Sequence, residues 1–278
     1  MASWTYLVRF TAVEDGEAYY TESTSALPQV GEKVSSFNFI NALGNEDITN
    51  HVVTTIKEIL APIASHNPII CIGLNYSNHA EEAKLIVPST PPMWYKPSQS
   101  LADPGIISIP KVAQDNFLDF EGELTIITSK DAKDISISDA PSYILGYTVG
   151  NDLTARLFQL PKVNGGQFTY AKSFDKFAPI GPTIVNAAAF EPFTDKRIKT
   201  TVNGRIVQDS PLGLIWSPAE LVSFLSQGRT LPAGTAIMTG TPSGVGWFQK
   251  PQNSLKNGDL VEVSIDGIGT LSNTLKFE

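Results

Sequence analysis

The sequence predicts a β-rich mixed α+β fold with scattered helices, a barrel or sandwich in place of alternating βαβ units. Short apolar, β-branched runs recur between Gly/Pro turns along most of the 278 residues. Full helix start and stop signals are clearest in one segment, Ser217–Gln227. No internal repeat or low-complexity tract imposes a period of its own.

Residues 1–65 read as a small N-terminal β-rich module. Trp4–Phe10 and Glu17–Thr21 fit strands separated by the turn Glu14-Asp15-Gly16, and Pro28–Gly31 supplies another turn. Asn50–Leu60 fits strand and helix alike, and Pro62–Pro68 reads as a linker. The larger domain then covers residues 66–278. Ile69–Leu74 reads as a buried strand, followed by Asn75–Ile86 with helical composition and Tyr76, Ala80, Ala83 and Ile86 on one face. Asn116–Ile127 and Tyr143–Asp152 are apolar enough for strands, and Pro179-Ile180-Gly181-Pro182 reads as turn-rich. In Ser217–Gln227, Ser217 is placed as N-cap, Pro218 at N1 and Glu220 at N3 for a capping box, with Gly228 as the stop. Thr235–Met238, Leu260–Ile265 and Ile268–Lys276 are late strands.

Composition narrows the function. Hydrophobic residues make up 42% and charged residues 17%, as in a compact folded chain. A net charge of −8 supplies no basic excess for a nucleic-acid partner. No apolar stretch approaches the length of a membrane span. Cys71 is the single cysteine, so no intrachain disulfide forms. With no readable targeting segment, the expected home is cytoplasmic, mitochondrial residence being left open.

Glu121 and Glu123 are the most informative residues. On a strand, residues two apart share a face, so both carboxylates project together. Like charges side by side repel, more so when buried, and a divalent metal with oxygen ligands offsets the cost. Asp152 ends the neighbouring run, where aspartate is depleted in strand interiors. Three carboxylates from two strands make a hard site suited to Mg²⁺. His79 and Glu82 share a helix face three residues apart, a spacing that lets the carboxylate orient the imidazole as general base, or that simply pairs charges on a surface helix. Lys172 reads equally as an oxyanion stabiliser and as a surface lysine. The Gly-rich run Met238–Gly246 lacks the Walker ending, and its N–H groups and the Thr241 hydroxyl offer a place for a carboxylate or enolate oxygen.

Seven motifs in order resemble the fumarylacetoacetate hydrolase family. They are Cys71-Ile72-Gly73-Leu74-Asn75-Tyr76 with His79 and Glu82; Tyr95-Lys96-Pro97-Ser98; Glu121-x-Glu123; and Gly150-Asn151-Asp152 with Ala155-Arg156 and Gln159. Lys172-Ser173-Phe174-Asp175, Asn203-Gly204 with Gln208, and Thr239-Gly240-Thr241-Pro242-x-Gly244-Val245-Gly246 complete the series. Each is weak alone; their order makes them specific from about Pro68 onward. The resemblance implies a β-roll with a small leading domain, a homodimer, and one Mg²⁺ (Mn²⁺ or Ca²⁺ as alternatives) on Glu121, Glu123 and Asp152. It further implies a His79–Glu82 water-activating dyad on a lid, and Lys172 and Thr241 on substrate oxygens. Arg156 and Gln159 would line the site, with Tyr95, Lys96 and Gly240 as further substrate contacts. Its substrates are 2-oxo and β-dicarbonyl acids. The implied reaction is C–C hydrolysis of an acylpyruvate-type acid; oxaloacetate decarboxylation, tautomerisation or isomerisation, and binding of a 2-oxo acid without turnover, are the alternatives. Leu157 and Phe158 follow Arg156 where many relatives carry Asp, which points to a more apolar pocket.

Overall fold

A computed structural model describes residues 4–37, 51–64 and 67–278. His66 and the first residue of the Asn50–Leu60 segment lie outside the described residues. The strands are β1 (Tyr6–Ala12), β2 (Ala18–Ser23), β3 (Lys33–Ser36), β4 (Val52–Ile59), β5 (Ile69–Ile72), β6 (Met93–Lys96), β7 (Leu101–Ala102), β8 (Gly105–Ile109) and β9 (Leu118–Asp119). They continue with β10 (Gly122–Thr128), β11 (Ile144–Asn151), β12 (Thr154–Ala155), β13 (Ala178–Asn186), β14 (Arg197–Val202), β15 (Arg205–Pro211), β16 (Ala236–Met238), β17 (Leu260–Ile265) and β18 (Gly269–Phe277).

One mixed sheet runs β3-β4-β1-β13-β11-β10-β16-β5-β6, with β2 on β1 and β7 on β13; a second runs β15-β14-β17-β18-β8. The main core lies between them. Leu124 and Ile126 of β10, Tyr147 and Val149 of β11, and Val263 and Ile265 of β17 meet there, with Leu221, Val222 and Leu225 of the helix Pro218–Ser226. That helix carries the expected capping box, Ser217 Oγ accepting from the Glu220 N–H and Glu220 Oε2 accepting from the Ser217 N–H. A second core, with Cys71, Trp94, Ile127, Ile180 and Met238, covers the opposite face of the large sheet. β10 is therefore buried on both faces along its length. Among the described residues no helix is long and apolar enough to cross a membrane.

Three expectations need correction. Asn116–Ile127 is not one strand: Phe117 adopts φ 54°, and β9 breaks off to pair with β12 before β10 begins. Side chains satisfy the backbone at the break, Asp119 accepting from the Phe120 N–H, Asn151 from Glu121 and Gln208 from Gly122. Pro179–Pro182 is no turn but part of the central strand β13. The ladder with β11 shifts register between Tyr147 and Val149, opposite this stretch, and β13's other edge passes from β7 to β1 there, so proline's missing N–H is tolerated. The helix from Asn75 shortens to α1 (Ser77–Ala83), because Lys84 turns left-handed and the Leu85 N–H closes onto the Ala80 carbonyl. Ile86, expected on its apolar face, is 93% exposed.

The ambiguous Asn50–Leu60 segment contains strand β4, Thr54 and Ile56 facing inward. Asn203-Gly204, both at positive φ, joins β14 and β15 in a two-residue hairpin.

Close approach of β11 and β13 requires Gly146: a Cβ there would lie 2.1 Å from the Val185 carbonyl oxygen. Gly146→Ala is expected to cost about 2–3 kcal/mol. A urea midpoint unchanged from wild type would show that the strands separate freely at this point.

Candidate active site and metal centre

β10 and β11 are antiparallel neighbours, Gly122 opposite Asn151. Glu121 and Glu123 therefore flank the start of β10 while Asp152 leaves the end of β11 beside them. Ligand oxygens of all three lie within 4.8 Å of one another, and all three residues are buried. Gly122 between the glutamates is obligatory, because a Cβ would come within 2.3 Å of Thr200 Oγ1 on the facing sheet.

Cations close the cluster. Lys172, on the short helix Thr169–Lys172, places Nζ 3.0 Å from Glu121 Oε2, 2.7 Å from Asp152 Oδ2 and 2.8 Å from Thr154 Oγ1. It is 1% exposed, so it is an interior group and not a surface lysine. Lys96, fully buried on β6, lies 2.5 Å from Asp152 Oδ1 and donates to the Leu153 and Phe177 carbonyls. Arg156 reaches Glu121 Oε1 at 2.6 Å and Asp119 Oδ2 at 2.8 Å, with Gln159 at 3.3 Å. Four carboxylates (Asp119, Glu121, Glu123, Asp152) thus face three cations, which leaves one negative charge uncompensated in the interior.

That excess falls on Glu123. Its Oε2 accepts only the Gly240 N–H, and its Oε1 finds no hydrogen-bond partner among the described residues. Burial, then the charges of Asp152 and Glu121, push its carboxyl well above the usual range. Burial acts the same way on Glu121, but Lys172 and Arg156 outweigh it and lower that group to about 2. Lys172 is desolvated too, yet Asp152 and Glu121 raise its pKa, so it is an ammonium at neutral pH. Asp152 Oδ1 is engaged by the Lys96 ammonium, so Glu123 Oε1 is the triad oxygen with neither a hydrogen bond nor an ion pair among the described residues. Three buried carboxylates with their oxygens close together, one of them with an unpartnered oxygen, fit a hard divalent cation.

The dyad stands at the edge of this cluster. His79 Nδ1 and Glu82 Oε2 are 3.2 Å apart on α1, and the imidazole packs edge-on to Phe248 at 6.0 Å. Glu82 accepts the Gly244 N–H at 2.9 Å. The glycine loop is thus already occupied by the protein's own carboxylates: Gly240 donates to Glu123, Gly244 to Glu82, and Gly246 with Trp247 to Asp119. The Thr241 hydroxyl is likewise engaged, donating to the Gly122 carbonyl and accepting from Gln208 Nε2.

Tyr95 is not brought to the cluster. Alternation on β6 turns Trp94 and Lys96 to the acid side and Tyr95 to the other, where its hydroxyl pairs with Arg229 at 2.7 Å. There it lines a cavity of about 620 Å³ with Pro68, Ile70, Lys96, Thr169, Arg229 and Leu231. Trp94 instead faces the site, its ring 5.0 Å from Lys172 Nζ. Phe158 packs against Tyr170 and Phe174 in an aromatic cluster. Cys71 is core, its thiol pushed up by burial. The sequence reading gave no role to Asp119, which anchors both Arg156 and the glycine loop; an aspartate inside an apolar run, the signal that singled out Asp152, marks it equally. Thr154 carries no local signal.

A proton held on Glu123 must leave when a cation arrives. Since burial and the neighbouring carboxylates hold this group's pKa above the ordinary carboxylate value, cation affinity should fall as the pH is lowered. Mn²⁺ titrations in two buffers of different ionisation enthalpy check this: equal heats would mean that no proton is released.

The fumarylacetoacetate (FAA) hydrolase C-terminal family matches residues 68–276. A caffeoylpyruvate hydrolase of Neonothopanus nambi is 36% identical, the match covering 100% of this chain and 95% of that protein. Oxaloacetate tautomerase fahd2, mitochondrial, of Xenopus laevis is 37% identical over 82% of this chain and 71% of its own. The crystal structure of a 5-carboxymethyl-2-hydroxymuconate delta-isomerase from Mycobacterium smegmatis superposes with a TM-score of 0.78 at 31% identity, covering 98% of this chain and 99% of that one.

Proposed function

The chain belongs to the fumarylacetoacetate hydrolase family, and we propose that it is a Mg²⁺-dependent enzyme that hydrolyses a C–C bond in a 2,4-dioxo, acylpyruvate-type acid. The observation that carries this reading is the buried triad Glu121, Glu123 and Asp152, with Glu123 Oε1 unpartnered among the described residues, flanked by an ammonium on one side and a His–Glu dyad on α1. A divalent cation held by the triad supplies Lewis-acid polarisation of a 2-oxo acid. With Glu123 ionised, the carboxylates exceed the cations by one charge, so a bound divalent cation would make the cluster net positive, which matches an anionic substrate.

The remaining work falls to side chains. Glu82, fixed by the Gly244 N–H, orients His79 through Nδ1 and leaves Nε2 to take a proton from water. Lys172, kept charged by its two carboxylates, serves as an electrostatic stabiliser of the enolate leaving group and not as a base. Lys96 and Arg156 hold Asp152 and Glu121 in place. Because the Thr241 hydroxyl and the loop N–H groups of Gly240 and Gly244 are engaged, their part is to position Gly122, Glu123 and Glu82. A homodimer in the cytoplasm, acting on a small 2-oxo or β-dicarbonyl acid, completes the proposal.

Keto–enol tautomerisation is the second reading. It uses the same cation and Lys172 and needs proton transfer without attack by water, and the similarity to an oxaloacetate tautomerase favours it. The anchored dyad favours hydrolysis. Proton NMR of the protein with acetylpyruvate and with oxaloacetate, in Mg²⁺ and then in EDTA, separates them. Mg²⁺-dependent acetate plus pyruvate supports the hydrolase. Accelerated enol exchange alone, or pyruvate with CO₂ loss, supports the tautomerase or a decarboxylase instead.

Two variants test the residues. Glu123→Gln should abolish cation-dependent turnover in a folded protein, and full activity would remove Glu123 from the site. His79→Ala should slow hydrolysis by about 10²–10⁴-fold while cation binding persists; unchanged hydrolysis would remove His79 from the reaction.

A further inference from the structure

Glu123 Oε1 is not the only orphan at this site. The Tyr76 hydroxyl is also buried with no hydrogen-bond partner among the described residues. Tyr76 is 1% exposed and precedes α1, its backbone bridged to Leu214. The neighbouring Asn75 pins this point of the chain to the glycine loop, its Nδ2 donating to the Thr239 and Trp216 carbonyls at 2.8 and 3.1 Å. Gly240, next along that loop, donates to Glu123 Oε2. One short stretch of contacts therefore fixes both Tyr76 and Glu123. Burial, and then the charge of Glu123, push the phenol pKa far up, so it stays a protonated donor within electrostatic reach of that carboxylate.

A buried hydroxyl without a partner costs stability, and phenylalanine would fill the same volume without that cost. We propose that Tyr76 is a positioning residue of the metal site, its hydroxyl donating to a water or substrate oxygen that arrives with the cation beside Glu123 Oε1. The proposal rests on the reading that the triad binds a divalent cation. Since Tyr76 leads directly into the helix that carries His79 and Glu82, this hydrogen bond would tie the dyad's helix to the filled site.

Tyr76→Phe tests it with Mn²⁺ as the probe. Free Mn²⁺ is followed by electron paramagnetic resonance, and melting temperatures are taken in EDTA and in saturating Mn²⁺. In EDTA the variant should melt at or above wild type. It should bind Mn²⁺ about tenfold more weakly, the scale of one hydrogen bond, and gain less melting temperature on loading. Equal or tighter Mn²⁺ affinity in the variant overturns the assignment, as does a melting temperature lowered alike in both conditions, the mark of a purely structural role. Wild type that binds no Mn²⁺ overturns the triad reading together with this proposal, whereas tight wild-type binding with an unaffected variant overturns only Tyr76.

Discussion

The rest of the site depends on the burial of carboxylates. Taking four of them out of water is tolerable only because Lys96, Lys172 and Arg156 come with them, each placed by a different element. Removing one cation would leave more than one negative charge in the interior, so the ion-pair network fixes β6, β10, β11 and the short helix Thr169–Lys172 relative to one another. The single charge left over lies on Glu123, the group with an open oxygen and the strongest upward pressure on its pKa. Structure and prospective ligand thus share one electrostatic account.

The glycine loop serves this network in a way its composition does not announce. Loops of this kind offer N–H groups to ligand anions, yet here the anions are side chains of the same protein. Gly240, Gly244 and Gly246 each donate to a different carboxylate, and these three belong respectively to the candidate cation site, the dyad and the Arg156 anchor. One backbone segment therefore sets the relative positions of three carboxylates, Glu123, Glu82 and Asp119. Gly244 is at φ 110° with the Val207 carbonyl oxygen 2.1 Å from where a Cβ would stand, so no other residue could occupy that point without moving the loop.

Much of the fold was legible where the signal is local. Leu260–Ile265 is the late strand read from the sequence, and the Ser217 capping box forms as its spacing requires. The expectations that failed did so where tertiary contacts replace local rules. Pro179 and Pro182 read as a turn, but a register shift in the neighbouring ladder lets them lie inside a central strand. The helix from Asn75 stops early because Lys84 enters the left-handed region and leaves the apolar residues beyond it unused. At the site, the Glu121–Glu123 spacing gave the shared face and Asp152 the third oxygen. Asp119 carried the same signal as Asp152 without being singled out.

What the sequence determined by itself is the set of acids and the shared side of Glu121 and Glu123, because residues two apart on extended backbone point the same way. It likewise determined the His79–Glu82 contact, three residues apart on one helix turn. Only the tertiary structure decided the partners: Lys96 against Asp152, Arg156 between Asp119 and Glu121, the glycine loop on the protein's own carboxylates, and Tyr95 turned to the far side. These pairings join residues from 35 to 162 positions apart. Their geometry is set by strand register and by the packing of two sheets, neither of which any local stretch of sequence contains.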